Sequence, residues 1–157
     1  MKIYYEGIFF DKNEIDRLVK DFDVGSLDKI IKNPHITFGY KPSEEDSFSE
    51  FLIGAKAEIK IIGFGNNGKN AGFLCEIPEE IKEYYHGAFP IHITTSISQD
   101  SEASYTANLN FKLLPENEQI TLEGTLGFCD EKRKIHIQGI GSELDAYKLS
   151  KDDFLEK

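Results

Sequence analysis

The chain contains the tripeptide His-Ile-Thr twice, in Pro34-His35-Ile36-Thr37-Phe38-Gly39-Tyr40 and in Pro90-Ile91-His92-Ile93-Thr94-Thr95-Ser96-Ile97. Only four histidines are present, and these two stretches contain half of them. Both stretches have the composition of a β-strand, in which residues i and i+2 point to the same face. Each copy therefore presents an imidazole beside a hydroxyl and sends its isoleucine to the opposite face. This recurrence predicts two similar lobes that each deliver one strand to a shared cleft.

The rest of the chain alternates between segments typical of strands and of helices. Asp11-Lys12-Asn13-Glu14 has the form of a capping box and precedes apolar residues at helical spacing. A helix is therefore predicted after an apolar and aromatic strand over 2–10. Further strands are predicted over 56–61, 73–77, 120–128 and 134–138, a second helix over 78–85, and a charged tail over 143–157.

Length and composition predict one globular domain, residues 1–157, with 39% apolar and 12% aromatic residues. The sequence has no apolar run long enough to span a membrane, and Glu6 interrupts the N-terminal stretch where an export signal would remain apolar. Cys75 and Cys129 lie in separate apolar segments and are interpreted as reduced thiols. We therefore expect a cytoplasmic monomer that does not associate with membranes.

The net charge of −10 and the pI near 4.9 bear on the partners of this protein. A protein that grips a long nucleic acid needs a basic surface to displace counterions, and here the lysines and arginines are few and scattered. A long nucleic acid is therefore not expected as the main partner, and a phosphorylated substrate should be a small nucleotide. No spacing of Cys, His, Asp or Glu indicates a metal site, and no cofactor is expected.

Two His-x-Thr pairs that face each other are suited to the hydrolysis of a phosphodiester. Histidine has an ordinary pKa near 6.5, so His35 and His92 can supply one base for water and one acid for the leaving oxygen. Thr37 and Thr94 would donate hydrogen bonds to the non-bridging oxygens, where charge accumulates in the transition state. The residues leave open which histidine is the acid and which is the base.

The paired strands resemble the signature of the two-histidine (2H) phosphoesterases, in which His-x-Thr or His-x-Ser occurs twice. The second stretch, followed by Ala103 and by Ala107-Asn108, is similar to the second motif of the cyclic phosphodiesterase domains of fungal tRNA ligases and of the animal 2′,3′-cyclic-nucleotide phosphodiesterases. The strand Thr121-Leu122-Glu123-Gly124 fits as well, and the resemblance extends over about 3–138. Thr95 stands where the family has Leu and is expected to point away from the cleft.

This resemblance implies an α+β, bilobed fold in which two mainly antiparallel sheets form a central cleft with helices outside. It implies hydrolysis of a cyclic phosphate or a 2′-linked phosphodiester. Three substrates remain open, namely an RNA 2′,3′-cyclic end, a small cyclic oligonucleotide signal and a 2′-5′ oligoadenylate. The alternative function is a non-catalytic module that sequesters a cyclic nucleotide, because binding would use the same histidines.

Other polar and aromatic residues are assigned secondary roles. Tyr5 and Tyr105 are candidates for stacking on a base, and Ser96 is predicted to share the face of the second motif and line the cleft. His86 is expected to serve a structural role at the end of a helix. His136 is expected at the surface or at the edge of the groove, because no hydroxyl lies two residues after it.

Overall fold

A computed structural model of the protein describes residues 2–48, 50–139 and, for the backbone alone, 148–149. The strands are β1 (Ile3–Phe9), β2 (Lys29–Ile30), β3 (His35–Tyr40), β4 (Lys56–Asn66), β5 (Asn70–Glu76), β6 (His92–Ile97), β7 (Lys112–Leu113), β8 (Ile120–Asp130), β9 (Ile135–His136) and β10 (Lys148–Leu149). The α-helix within these residues is α1 (Lys12–Asp21), and the 3₁₀ helices are Glu79–Tyr84, Ala103–Asn108 and Glu116–Glu118.

The predicted capping box produces α1. The Asp11 carboxylate accepts hydrogen bonds from the backbone N–H groups of Asn13, at 2.7 Å, and Glu14, at 3.3 Å. These bonds satisfy two amides that the first helical turn leaves without an intrahelical partner. Ile15 and Leu18 bury the inner face of the helix. The prediction of this helix is confirmed, whereas the predicted second helix is the 3₁₀ helix Glu79–Tyr84.

The strands form one mainly antiparallel sheet in the order β2-β6-β5-β4-β8-β1-β3. Three short strands lie off this path, since β7 and β10 pair with β4 and β9 pairs with β8. The α+β prediction is confirmed, but the described strands make one sheet where two were predicted. The reason is that β4 pairs with β5 on one side and with β8 on the other, so it joins the two halves.

The sheet must be strongly curved, because its distant strands meet. Residues of β3 and β6 lie within 8 Å of each other, Cα to Cα, although four strands separate them in the sheet. Adjacent strands are about 4.8 Å apart, so five steps across a flat sheet would separate these two strands by about 24 Å. The curvature therefore brings the two motif strands to face each other.

The core confirms the predicted alternation within both motifs. Ile36 and Ile93 are fully buried and belong to one apolar cluster with Phe38 and Phe73. No helix within the described residues has the length and apolar character that crossing a membrane requires. Most of the predicted charged tail, residues 143–157, lies outside the described residues.

Candidate active site

The two motifs line a single cavity of about 340 Å³, which we call the motif cavity. His35 and Thr37 reach it from β3, and His92 and Thr94 reach it from β6. Because β3 and β6 lie near opposite ends of the sheet, only its curvature allows this meeting. The structure thus brings together the four residues that the sequence singled out.

Both imidazoles are held in the same way. Nδ1 of His35 lies 2.7 Å from the carbonyl oxygen of Asn33, and Nδ1 of His92 lies 2.8 Å from the carbonyl oxygen of Pro90. A carbonyl can only accept, so each Nδ1 carries a proton and donates it. In the neutral ring, Nε2 is then the nitrogen with a free lone pair, and no described residue hydrogen-bonds to it. Each histidine therefore presents a proton acceptor to a ligand.

The surroundings favour the neutral form of both rings. Burial lowers the pKa of His35 below its ordinary value of 6.5, the hydrogen bond to Asn33 opposes this, and the charge of His92 lowers the pKa further. Burial also lowers the pKa of His92, and the carbonyl of Pro90 opposes the change. A protonated His92 therefore disfavours the protonation of His35.

Tyr5 supports one histidine instead of offering a free face to a base. Its ring stacks on His35, with 4.6 Å between centroids and 26° between planes, and Phe9 lies 5.5 Å from the same imidazole. Tyr5 lines the cavity but is only 8% exposed. The sequence analysis predicted that Tyr5 stacks on a base of the substrate, whereas in the structure the ring of Tyr5 stacks on His35.

A glycine lies opposite the threonine of each motif. Gly7 on β1 pairs with Thr37, and Gly72 on β5 pairs with Thr94. A Cβ atom on Gly7 would overlap the carbonyl oxygen of Ile36, the residue between His35 and Thr37. A Cβ atom on Gly72 would overlap the corresponding carbonyl oxygen of Ile93. The sequence repeat therefore extends to the partner strands, where glycine permits the close approach of the motif backbone.

The same two places carry a β-bulge. The next pairs are Glu6 with Gly39 and Ala71 with Ser96, so each motif strand has one extra residue just after its threonine. These extra residues are Phe38 and Thr95. A bulge reverses the alternation of side chains and increases the local twist. A glycine within a predicted strand is a signal for this feature, and Gly7 lies in such a strand, whereas Gly72 lies just before the predicted strand over 73–77.

The bulge explains why Ser96 does not lie where the sequence predicted. Its position beyond Thr95 removes it from the face of His92 and Thr94, and its hydroxyl accepts a hydrogen bond from the backbone N–H of Leu27 at 2.9 Å. Ser96 and Thr95 line a separate, more open groove of about 460 Å³ against α1. Thr95 therefore points away from the motif cavity, as expected. Tyr105 is 52% exposed and does not line the cavity, whereas its neighbour Ser104 does.

His86 lines the motif cavity, which the sequence did not predict. Its backbone N–H donates to the carbonyl oxygen of Phe38 at 2.7 Å, and this bond fixes the segment after the 3₁₀ helix against β3. A Cβ atom on Gly87 would lie 2.5 Å from the carbonyl oxygen of Thr37, so this contact also requires glycine. Nε2 of His86 lies 3.4 Å from the carboxylate of Asp46.

His136 has other partners and does not line the motif cavity. Its Nε2 lies 2.8 Å from Asp130, and its ring stacks on Phe128 with a centroid distance of 4.6 Å. The described lining of the motif cavity includes no lysine, arginine, aspartate or glutamate. Its charge can therefore change only through histidine within the usual pH range. No group of His, Cys, Asp or Glu among the described residues has the geometry of a metal site.

No protein-family model matches this chain. No curated protein matches it either.

Proposed function

We propose that this protein is a metal-independent phosphodiesterase that hydrolyses a cyclic phosphate or a 2′-linked phosphodiester of a small nucleotide. The observation that carries the proposal is the matched arrangement of His35 and His92. Both line one cavity, both hold Nδ1 through a backbone carbonyl, and each stands beside a threonine. No described residue occupies Nε2 of either ring. Two proton-transfer groups on opposite walls are what the in-line hydrolysis of a phosphodiester requires.

The proposed reaction is a single displacement at phosphorus. One histidine, neutral, takes a proton from water through Nε2 while the water oxygen bonds to phosphorus. The bond from phosphorus to the leaving oxygen breaks, and the other histidine, protonated, gives that oxygen its proton. One proton is gained and one is lost, so the pair ends with its two roles exchanged. Either histidine can begin as the base, depending on how the substrate lies.

Thr37 and Thr94 are the proposed donors to the non-bridging oxygens. Such hydrogen bonds strengthen as charge accumulates there, which is the form of stabilisation that accelerates the reaction. Because the described lining has no permanent cation, the hydroxyls and the protonated histidine carry this role together. We assign no metal or cofactor to the scheme.

The size and charge of the site favour a small substrate. A cavity of about 340 Å³ is at the lower end of the range for ligand sites, which is roughly 300–1,000 Å³. The net charge of −10 opposes the approach of a long polyanion. In this proposal the two halves of the sheet, β6-β5-β4 and β8-β1-β3, act as the two lobes. The protein works as a monomer, since one chain supplies both histidines.

The test is a turnover screen of the purified protein in EDTA. The panel contains 2′,3′-cyclic mononucleotides, cyclic oligonucleotides and 2′-5′ oligoadenylates, and phosphorus NMR identifies the bond that is cleaved. We expect hydrolysis of at least one class. Tight binding without turnover would instead support the sequestering module, and the absence of both binding and turnover would refute the proposal.

A further inference from the structure

Thr94 is the end of a buried chain of polar side chains. Its Oγ1 lies 2.8 Å from Oγ1 of Thr106, and Nδ2 of Asn70 lies 3.0 Å from the same Thr106 oxygen. Asn70 also donates from Nδ2 to the carbonyl oxygen of Glu102 at 2.8 Å, and its Oδ1 accepts from the hydroxyl of Ser101. Thr106 is fully buried and Asn70 is 1% exposed.

The partners of Asn70 fix the orientation of its amide. The Glu102 carbonyl can only accept, so the NH₂ group of Asn70 must face it, and the second N–H then points at Thr106. Thr106 receives that hydrogen bond and must place its own proton elsewhere. The remaining described partner within reach is Oγ1 of Thr94. If Thr94 donated to Thr106 instead, a proton would be buried without an acceptor, which is costly.

We propose that Asn70 and Thr106 are positioning residues that make Thr94 a donor to the substrate phosphate. This inference rests on the proposed function. It assigns the direction of the hydrogen bond that one of the two motif threonines makes to the phosphate. Thr106 donates to Thr94, and Thr94 is left with one proton to give. Without a ligand, Thr94 donates this proton to the carbonyl oxygen of Ala103, at the long distance of 3.3 Å. An anionic phosphate oxygen is a stronger acceptor and would displace this contact.

Among the described residues, the first motif has no equivalent of this chain of hydrogen bonds. Thr37 lies close enough to the phenol of Tyr40, which is 60% exposed, to lower the pKa of that phenol against the larger effect of burial. A fully buried network fixes the polarity of a hydroxyl, whereas an exposed phenol can rotate and exchange with water. The two threonines are therefore distinct, and Thr37 provides an internal control for the test.

The central variant is Asn70→Asp, which replaces the amide nitrogen by oxygen with little change of shape. The new carboxyl group carries at most one proton, which the Glu102 carbonyl oxygen takes, so it has no proton to donate to Thr106. Thr106 would then donate to the carboxyl oxygen, and Thr94 would donate to Thr106. We expect the affinity for inorganic phosphate, followed by the NMR signals of the histidine rings, to fall about tenfold or more. The kcat/KM for the phosphodiester should fall by a similar factor, and Thr106→Ser, which keeps the hydroxyl, should stay within about threefold of the parent.

Two double variants separate a positioning role from a structural one. In a Thr94→Val background, Asn70→Asp should cause no further loss of phosphate affinity. In a Thr37→Val background it should cause the full loss. If Asn70→Asp lowers the affinity for phosphate equally with and without the Thr94 hydroxyl, or does not change this affinity, the inference is wrong.

Thr106→Val decides the matter if Asn70→Asp does not fold. It should weaken phosphate binding while Thr106→Ser does not, and equal affinities for the two variants would contradict the inference. Phosphate affinity is measured without turnover. If the protein hydrolyses no member of the panel, the proposed function is refuted. The phosphate affinities of the variants would still test the roles of Asn70 and Thr106.

Discussion

His35 and His92 have pKa values that burial lowers from 6.5, and this sets the expected pH dependence of the reaction. In the proposed reaction, the free protein needs one neutral and one protonated histidine. As pH rises above the higher pKa of the pair, both rings are neutral and the acid is lost. As pH falls below the lower pKa, both are charged and the base is lost.

We therefore predict a bell-shaped profile of kcat/KM with its maximum below pH 6.5. The profile of kcat should lie at higher pH, because a bound phosphodiester anion favours the protonated imidazole. Steady-state kinetics between about pH 4.5 and about pH 8.5 would test both statements. A value of kcat/KM that still rises between about pH 7 and about pH 8 would contradict this assignment of acid and base.

Glu6 is a second titratable residue with an unusual environment. It is 1% exposed, and its carboxylate accepts the backbone N–H of Phe48 at 3.0 and 3.1 Å. Burial raises the pKa of Glu6 from 4.5 to about 7, the hydrogen bond from Phe48 opposes the change, and the charge of Asp46 adds to it. The native state therefore binds the Glu6 proton more tightly than the unfolded chain does. The resulting stabilisation is complete below pH 4.5 and is lost as pH rises through about 7.

Glu6→Gln should make the protein more stable at alkaline pH. The amide keeps the shape and the acceptor for Phe48 and is never ionised. At about pH 8 we expect its free energy of unfolding to exceed that of the parent by an amount on the order of 3 kcal/mol at most, and the gain should shrink at about pH 5. Urea denaturation at the two pH values measures this difference. The exposed Glu118→Gln is the control, and a gain for Glu6→Gln that is the same at both pH values would disprove the prediction.

At the scale of elements, the two bulged strand pairs position the site. Gly7 and Gly72 allow the carbonyl oxygens of Ile36 and Ile93 to approach closely, and each bulge follows directly after a catalytic threonine of the proposal. Gly7→Ala and Gly72→Ala should each reduce the free energy of unfolding by roughly 1–3 kcal/mol, since the Cβ atom would overlap backbone. Each variant should also lower turnover, because the motif strand must shift.

Gly65→Ala is the matched control for these variants. Gly65 also lies in a strand, but a Cβ atom there would meet its nearest neighbour, in Leu109, at 3.5 Å, which is an ordinary contact. Thermal or urea unfolding together with turnover provides the comparison. If Gly72→Ala is no more harmful than Gly65→Ala, glycine is not required by the bulge.

These bulges also mark the limit of prediction from strand periodicity. Alternation correctly put His92 and Thr94 on one face and buried Ile93, because the strand is regular up to that point. It misplaced Ser96, because one extra residue reverses every later side chain. Periodicity assumes a constant repeat of two, and only the glycine on the partner strand indicates where this repeat changes.

At the scale of the whole molecule, curvature of one sheet creates the cavity. The repeated motif predicted that two strands meet, but it did not predict that β4 would join both halves into one sheet. That pairing depends on contacts between segments distant in sequence, such as Lys56–Ile61 with Ile120–Thr125. The position of His86 is unpredictable for the same reason, since it depends on a backbone hydrogen bond to Phe38 of β3.

The central claim is that His35 and His92 act as one acid–base pair without a metal, and turnover of four variants in EDTA tests it most directly. His35→Ala and His92→Ala should each lower kcat about a hundredfold or more, within the range of roughly 10²–10⁴ typical of general acid–base catalysis. The double variant should lose less than the product of the two factors, because the residues act as a unit. His136→Ala, outside the cavity, should retain most activity. A folded His136→Ala protein as inactive as His92→Ala, or parent activity that EDTA abolishes and a divalent ion restores, would contradict the account.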